Sequence, residues 1–242
     1  MSINVTTEFL ARDAVRAVRR GDLIIVVDAL RCTSTIVTAL ANGAREVIPV
    51  KSLGKARKMR SENPDYLLAG ERGGLKPSGF DLGNSPLEYT PERVSGKTII
   101  LTTTSGTKAL ENSKGAQRVF IGSFLNAGAV AREALSTALN DGRDICIVQS
   151  GTNGAFSLED FICAGAIISN LTDADIKLSD AAQAAYLGFK SIEKNLCANI
   201  MKSEHSKRLI ELGFVEDIKF SCQVNLFPIA PFYDGRAVIV RR

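Results

Sequence analysis

The alternation of short apolar runs with helical segments constrains this chain more than any other feature. Leu23–Val27 is a strand-length run of five apolar residues. The polar turn Asp28-Ala-Leu-Arg-Cys-Thr33 follows. A helix is then expected over Thr33–Ala41, with Gly43 as its stop. The same succession recurs after Lys97–Thr103, through the turn Thr102–Lys108 (TTTSGTK), and after Asp144–Gln149, through the turn Gln149–Gly154 (QSGTNG). The three units do not align as a sequence repeat. Strand–turn–helix alternation nevertheless argues an α/β protein, a layered α/β/α arrangement on a mixed, largely parallel sheet. If the three strands are parallel, all three turns lie at their carboxyl ends, where open α/β sheets bind ligands.

Further strands are expected at Glu46–Val50, Tyr66–Ala69 and Arg118–Ile121. Helices are expected from a Ser52 cap through Arg60, over Thr107–Ser113, over Asn126–Asn140 with Asn126 as cap, and over Leu158–Leu171. Two more fall near Asp180–Leu196 and Ser203–Leu212. The tail, Asp217–Val240, holds strand-like runs broken by Pro228, Pro231 and Asp234–Gly235, and is expected to add antiparallel strands. No low-complexity linker divides residues 1–242. They read as one unit, or as two α/β lobes with a cleft between them.

Composition removes several kinds of function. The chain of 242 residues has one His, so a Ser-His-Asp triad would need His205 and a His-rich zinc site is excluded. Its five Cys (32, 146, 163, 197 and 222) contain no C-x-x-C pair and read as reduced thiols, mostly in the core. Thirty Lys and Arg against 26 Asp and Glu leave a net charge of +4, spread along the chain. Only Arg16, Arg19 and Arg20 cluster, so no nucleic-acid partner is expected. No apolar run approaches the roughly 20 residues of a membrane span. The N-terminus lacks a signal-peptide layout. A cytoplasmic protein with no membrane partner is the expectation.

Three segments carry candidate chemistry. Asp28 ends a buried strand, where an Asp binds Mg²⁺ or attacks phosphorus; Arg31 stands at a helix mouth, where it clamps phosphate. The bland alternative is that Asp28 caps the helix and Arg31 balances it. A dehalogenase-type phosphatase would need a second Asp at residue 30, which is Leu30. The turn Thr102–Lys108 offers hydroxyls and backbone N–H groups for an oxyanion. It is not a Walker loop, since Leu101 replaces the first Gly and Ala109 follows Lys108. Simple helix capping is its alternative. The stretch Gly70–Pro86 (GERGGLKPSGFDLGNSP) places Glu71, Arg72, Lys76 and Asp81 within eleven residues, among glycines that permit close backbone approach. Two acids and two bases there suit a metal and an anion together; the alternative is a solvated loop. Glu159 and Asp160 open an apolar helix after Ser157, where the helix dipole alone favours them. His205 reads as a surface residue or a modest substrate contact.

DALRCTSTIVTALANG (28–43), GERGGLKPSGFDLGNSP (70–86) and TTTSGT (102–107) together resemble the 2-phosphosulfolactate phosphatases, the ComB family of coenzyme M biosynthesis. IGSFLNA (121–127), SLEDF (157–161) and the tail extend the likeness over nearly the whole chain. The resemblance implies an Mg²⁺-dependent phosphatase that converts 2-phospho-3-sulfolactate to 3-sulfolactate and phosphate. It also implies a family-specific α/β fold with its site in a cleft, and a homo-oligomer, a dimer being expected. In that reading Asp28, Arg31, Arg72 and Lys76 are catalytic. Thr33 and the turn residues Thr103, Thr104, Ser105, Gly106 and Thr107 bind the substrate's anionic groups. Glu71, Asp81, Glu159 and Asp160 are the metal-ligand candidates. Removing charge at Arg31 or Arg72 is expected to cut turnover and leave the fold intact. Cys32, Ser105 and Asn225 depart from the family pattern (Ala, Asn and Asp), which predicts an altered substrate contact at Ser105 and a lost carboxylate at Asn225. Two other readings stay open: a phosphatase of another 2-phospho acid, and a non-catalytic binding protein for a phosphorylated or sulfonated metabolite.

Overall fold

The computed structural model describes residues 2–171 and 175–241. Its strands are β1 (Ile3–Glu8), β2 (Leu23–Val27), β3 (Glu46–Pro49), β4 (Leu67–Gly70), β5 (Thr98–Thr102), β6 (Val119–Gly122), β7 (Ile145–Gln149), β8 (Ile176–Leu178), β9 (Phe232–Tyr233) and β10 (Val238–Ile239). Its helices are α1 (Ala14–Arg20), α2 (Cys32–Ala41), α3 (Leu53–Glu62), α4 (Pro91–Val94), α5 (Gly106–Asn112), α6 (Ala127–Asp141), α7 (Leu158–Ile168), α8 (Asp180–Ile192), α9 (Leu196–Ile200), α10 (Glu204–Glu211) and α11 (Val215–Ser221). The expected elements are present within a few residues. Ser52 caps α3, its hydroxyl accepting from the Lys55 amide. One expectation fails in the tail: residues 215–221 form α11, not a strand.

The strands form one sheet of ten, in the order β4-β5-β3-β10-β9-β6-β2-β7-β1-β8. β2 is buried on both faces, as its unbroken apolar run requires. Leu23, Ile25 and Val27 pack towards α6, α7 and α8; Ile24 and Val26 pack towards α1, α2 and α5. The result is a layered α/β/α fold on a mixed, mostly parallel sheet.

The sheet contains a repeat that the sequence hides. β2-α2-β3-α3-β4 and β5-α5-β6-α6-β7 follow the same path, and the first strand of each lies inside the other: β5 between β4 and β3, β2 between β6 and β7. Each copy ends in a tight turn, in which Arg72 and Leu75, or Thr152 and Ala155, exchange N–H···O bonds of 3.0–3.2 Å. The short pair β9 and β10 joins the copies through antiparallel pairings to β6 and β3. The two parallel blocks therefore run in opposite senses. The strands before the three turns are thus not all parallel, as a mixed sheet allows. β2 and β7 are parallel neighbours, whereas β5 belongs to the other block. The turn after β5 still meets the turn after β2, because α2 and α5 share one face of the sheet and touch.

Candidate active site

Asp28 is the first residue beyond β2, and it is buried. Its Oδ1 accepts from the Cys32 amide (3.1 Å), and the Gly106 amide at the mouth of α5 also faces the carboxylate. A Cβ on Gly106 would lie 2.8 Å from Asp28 Oδ2 and 2.5 Å from Cys32 Sγ, so only glycine lets the second helix mouth come this close. Burial pushes the Asp28 carboxyl up to about 7; the Cys32 amide opposes this, and the Glu71 and Glu159 charges add to it. Asp160, also buried, is raised by burial and by the Asp28 and Glu159 charges, while the Ala29 (2.8 Å) and Gly151 (3.1 Å) amides donate to its two oxygens. Burial and the Asp28 charge likewise keep Cys32 a neutral thiol, which removes it as a nucleophile.

Gly70 steers the next acid into the site. A Cβ there would sit 2.0 Å from the Thr102 carbonyl oxygen, and its φ of +137° excludes other residues. Glu71 then clamps two turns together. Its Oε1 accepts from the Thr104 amide (2.7 Å) and hydroxyl (2.8 Å), and its Oε2 from the Gly74 amide (2.9 Å). Arg72 donates to the carbonyl of Glu71 (2.6 Å), the carbonyl of Lys51 (3.4 Å) and the Thr102 hydroxyl (2.9 Å). These three acceptors are uncharged, and the guanidinium forms no ion pair among the described residues. Arg31 is the opposite case. It is buried, ion-paired to Asp217 Oδ2 at 2.5 Å, bonded to the Gly74 carbonyl (2.6 Å) and stacked 4.0 Å from the Phe214 ring centre. Ser85 donates to the other Asp217 oxygen (2.7 Å).

These groups line one cavity of about 440 Å³, a common size for a small-molecule site. Asp28, Arg31, Glu71, Arg72, Thr103, Thr104, Ser105 and Asp160 meet there, as does His205. The remaining candidates do not line it. Thr33 bonds the Asp28 backbone through its hydroxyl, and Thr107 donates to the Thr103 carbonyl. Lys76 is exposed outside the cavity. Asp81 turns back to the Leu68 amide (2.7 Å) and lies 3.9 Å from Arg60. Glu159 is buried away from the lining, with Oε1 unpartnered. Asn225 is also elsewhere: its Oδ1 accepts from the Gly128 amide (2.6 Å) in the first turn of α6, so no carboxylate has been lost from the cavity at this position. Among the described residues, no three His, Cys, Asp or Glu side chains are grouped to hold a metal.

Sequence reasoning missed Asn84, Arg208, Leu209 and Leu212 in the lining and Asp217 behind it. It singled out the turn 149–154 without assigning it a role; Gly151, Thr152 and Asn153 line the cavity. The spacing of residues 205, 208, 209 and 212 was the available signal for α10, since such positions share a helix face.

Buried carboxylates and guanidinium groups around a small cavity, where the turns ending strands of both blocks meet, define an α/β enzyme that acts on a small anionic ester. Comparison with known proteins narrows the class. The family model for 2-phosphosulpholactate phosphatase matches residues 9–236. The chain is 50% identical over 208 residues to a probable 2-phosphosulfolactate phosphatase of Thermotoga petrophila, covering 86% of this chain and 87% of that protein. It is 47% identical to one of Caldanaerobacter subterraneus, with 86% of each chain covered. Against one of Clostridium beijerinckii identity is 41%, covering 93% of this chain and 95% of the other. The chain belongs to the 2-phosphosulfolactate phosphatase family, whose reaction class is hydrolysis of a phosphoric monoester. Among the described residues, no helix is long and apolar enough to cross a membrane.

Proposed function

We propose that this chain hydrolyses 2-phospho-3-sulfolactate to 3-sulfolactate and phosphate with Mg²⁺, in coenzyme M or sulfolactate biosynthesis. The observation that carries the reading is Asp28: a buried carboxyl at a strand end, facing a cavity that also holds the Arg72 guanidinium. With its carboxyl near 7, Asp28 suits a general base. It takes a proton from the attacking water as that oxygen bonds to phosphorus and the bond to the substrate's 2-oxygen breaks; the 2-oxygen leaves with a proton from solvent as the hydroxyl of 3-sulfolactate. Arg72, fixed by three neutral oxygens, donates to the phosphoryl oxygens, where charge stabilisation is the main protein task. The Thr103–Ser105 turn supplies hydroxyl and amide groups to the anionic substrate.

The cavity acids fit a hard cation. Asp28, Glu71 and Asp160 form no ion pair among the described residues, and burial, with the charges of neighbouring acids, raises Asp28 and Asp160. Glu71 and Asp160 would hold it; Mg²⁺ typically takes one or two carboxylates and keeps several waters, so a three-residue cage is not needed. When bound, Mg²⁺ supplies charge neutralisation and orientation of the phosphoryl oxygens.

The direct test is phosphate release from 2-phosphosulfolactate by purified protein, with Mg²⁺ and then with EDTA. Release that EDTA abolishes is expected. Tight binding of sulfolactate without release would replace the enzyme by a binding protein. Arg72→Ala is expected to lower kcat by about 100- to 1000-fold, as loss of a charge-stabilising donor does. Its melting temperature should stay within a few degrees of wild type. Normal kinetics in this variant would remove Arg72 from the reaction.

A further inference from the structure

α10 turns one face to the cavity. His205, Arg208, Leu209 and Leu212 line it at i, i+3, i+4 and i+7. The helix is anchored at its start by Ser203, whose hydroxyl accepts from the Ser206 amide (3.1 Å). His205 Nε2, 3.0 Å from the Leu30 carbonyl, ties it to the β2–α2 turn, and Leu209 is buried in the core. The helix contributes no carboxylate to the lining: Glu204 and Glu211 are exposed on its other faces.

Arg208 differs from the other cavity arginines. Arg31 is neutralised by Asp217, and Arg72, unpaired among the described residues, is held in place by bonds to the Glu71 and Lys51 carbonyls and the Thr102 hydroxyl beside the phosphoryl position proposed above. Arg208 has no ion pair among the described residues and stands exposed at the cavity edge. The proposed substrate carries a phosphate, a carboxylate and a sulfonate, and Asp28, Glu71 and Asp160 repel each of them. An ester with three anionic groups needs a cation beyond the one that serves the phosphoryl group. A guanidinium on a wall free of acids provides it, with a planar fork suited to a pair of oxygens.

Resting on the reaction proposed above, we infer that Arg208 binds the substrate's sulfonate and so sets the preference for sulfonated over plain 2-phospho acids. The test compares wild type, Arg208→Ala and Arg208→Lys on 2-phosphosulfolactate and on 2-phospholactate, which lacks the sulfonate. For Arg208→Ala, KM for the sulfonated ester should rise about 10- to 100-fold, the weight of a lost charge-assisted contact, with kcat changed less than about 3-fold. KM for 2-phospholactate should change by less than about 3-fold. Arg208→Lys keeps the charge and should recover part of the loss. Equal losses on the two esters, or an unchanged KM for both, would overturn the assignment. If wild type hydrolysed neither ester, the proposed reaction would fall and Arg208 would be judged by calorimetry with 3-sulfolactate and lactate. Selective loss of sulfolactate binding in Arg208→Ala would then support it. Unchanged binding, or no binding by wild type, would overturn it.

Discussion

Replacing Asp28 by Asn is expected to lower phosphate release by about 1000- to 10,000-fold and to raise the melting temperature of the same protein. The two effects share one cause. A carboxyl moved from 3.8 to about 7 by burial and by neighbouring acids costs roughly 4 kcal/mol of stability once it is ionised. Asparagine removes that charge. It also sets an NH₂ group against one of the two facing amides, Cys32 or Gly106, which costs about 1–3 kcal/mol. The charge effect is larger, so a net gain of about 1–3 kcal/mol is expected at pH 8 in EDTA, or several degrees in a chain of this size.

The sign of the pH dependence follows. Between 3.8 and about 7 the folded protein holds the proton more tightly than the unfolded chain does, so wild-type stability falls as pH rises through that window. The advantage of Asp28→Asn should therefore be present at pH 8 and absent near pH 4. Activity runs the other way: a base must be ionised, so kcat/KM should rise with pH to a plateau, and a cation held by Glu71 and Asp160 sets that rise below the value of about 7 of the cation-free site. Thermal melts at the two pH values and a rate profile check all of this. An equal melting difference at both pH values would mean that the Asp28 charge is not the cause.

The strand–turn–helix units were legible because their signals are local. Leu23–Val27 needs no partner to read as a buried strand, and Ser52 announces its helix. β8, three residues long, is too short to show a period, and α11 follows Phe214, which is no capping residue to announce a helix. The two-copy topology was hidden because each first strand is inserted between strands of the other copy, which is a tertiary fact. The site was half legible for a similar reason. Glu71 and Arg72 sit where β4 ends against Thr102, so the sheet fixes their direction. Lys76 and Asp81 lie beyond the Arg72–Leu75 turn, and charges in an irregular loop carry no period that shows which face inward. Arg208 had helical spacing to reveal it. Asp217 had nothing, because its partner Arg31 lies 186 residues away.

That distant pair alters the expectation for Arg31. Charge removal at one end alone is expected to destabilise the fold, since both partners are buried and the survivor would be uncompensated. Asp217→Ala is expected to cost about 3–5 kcal/mol in urea unfolding. It would also free Arg31, whose bond to the Gly74 carbonyl steadies the turn carrying Glu71 and Arg72. Turnover should fall with stability. The double variant Arg31→Met/Asp217→Ala removes both charges and keeps an apolar chain against Phe214, so it should regain most of the lost stability; replacing a whole buried pair is often neutral or better. Its activity separates two roles. If Arg31 only props the turn, turnover returns in part with the fold. If the cavity-lining guanidinium also touches the phosphoryl group, the double variant is stable and stays inactive. A double variant as unstable as Asp217→Ala would show that the buried pair is not what Asp217 contributes.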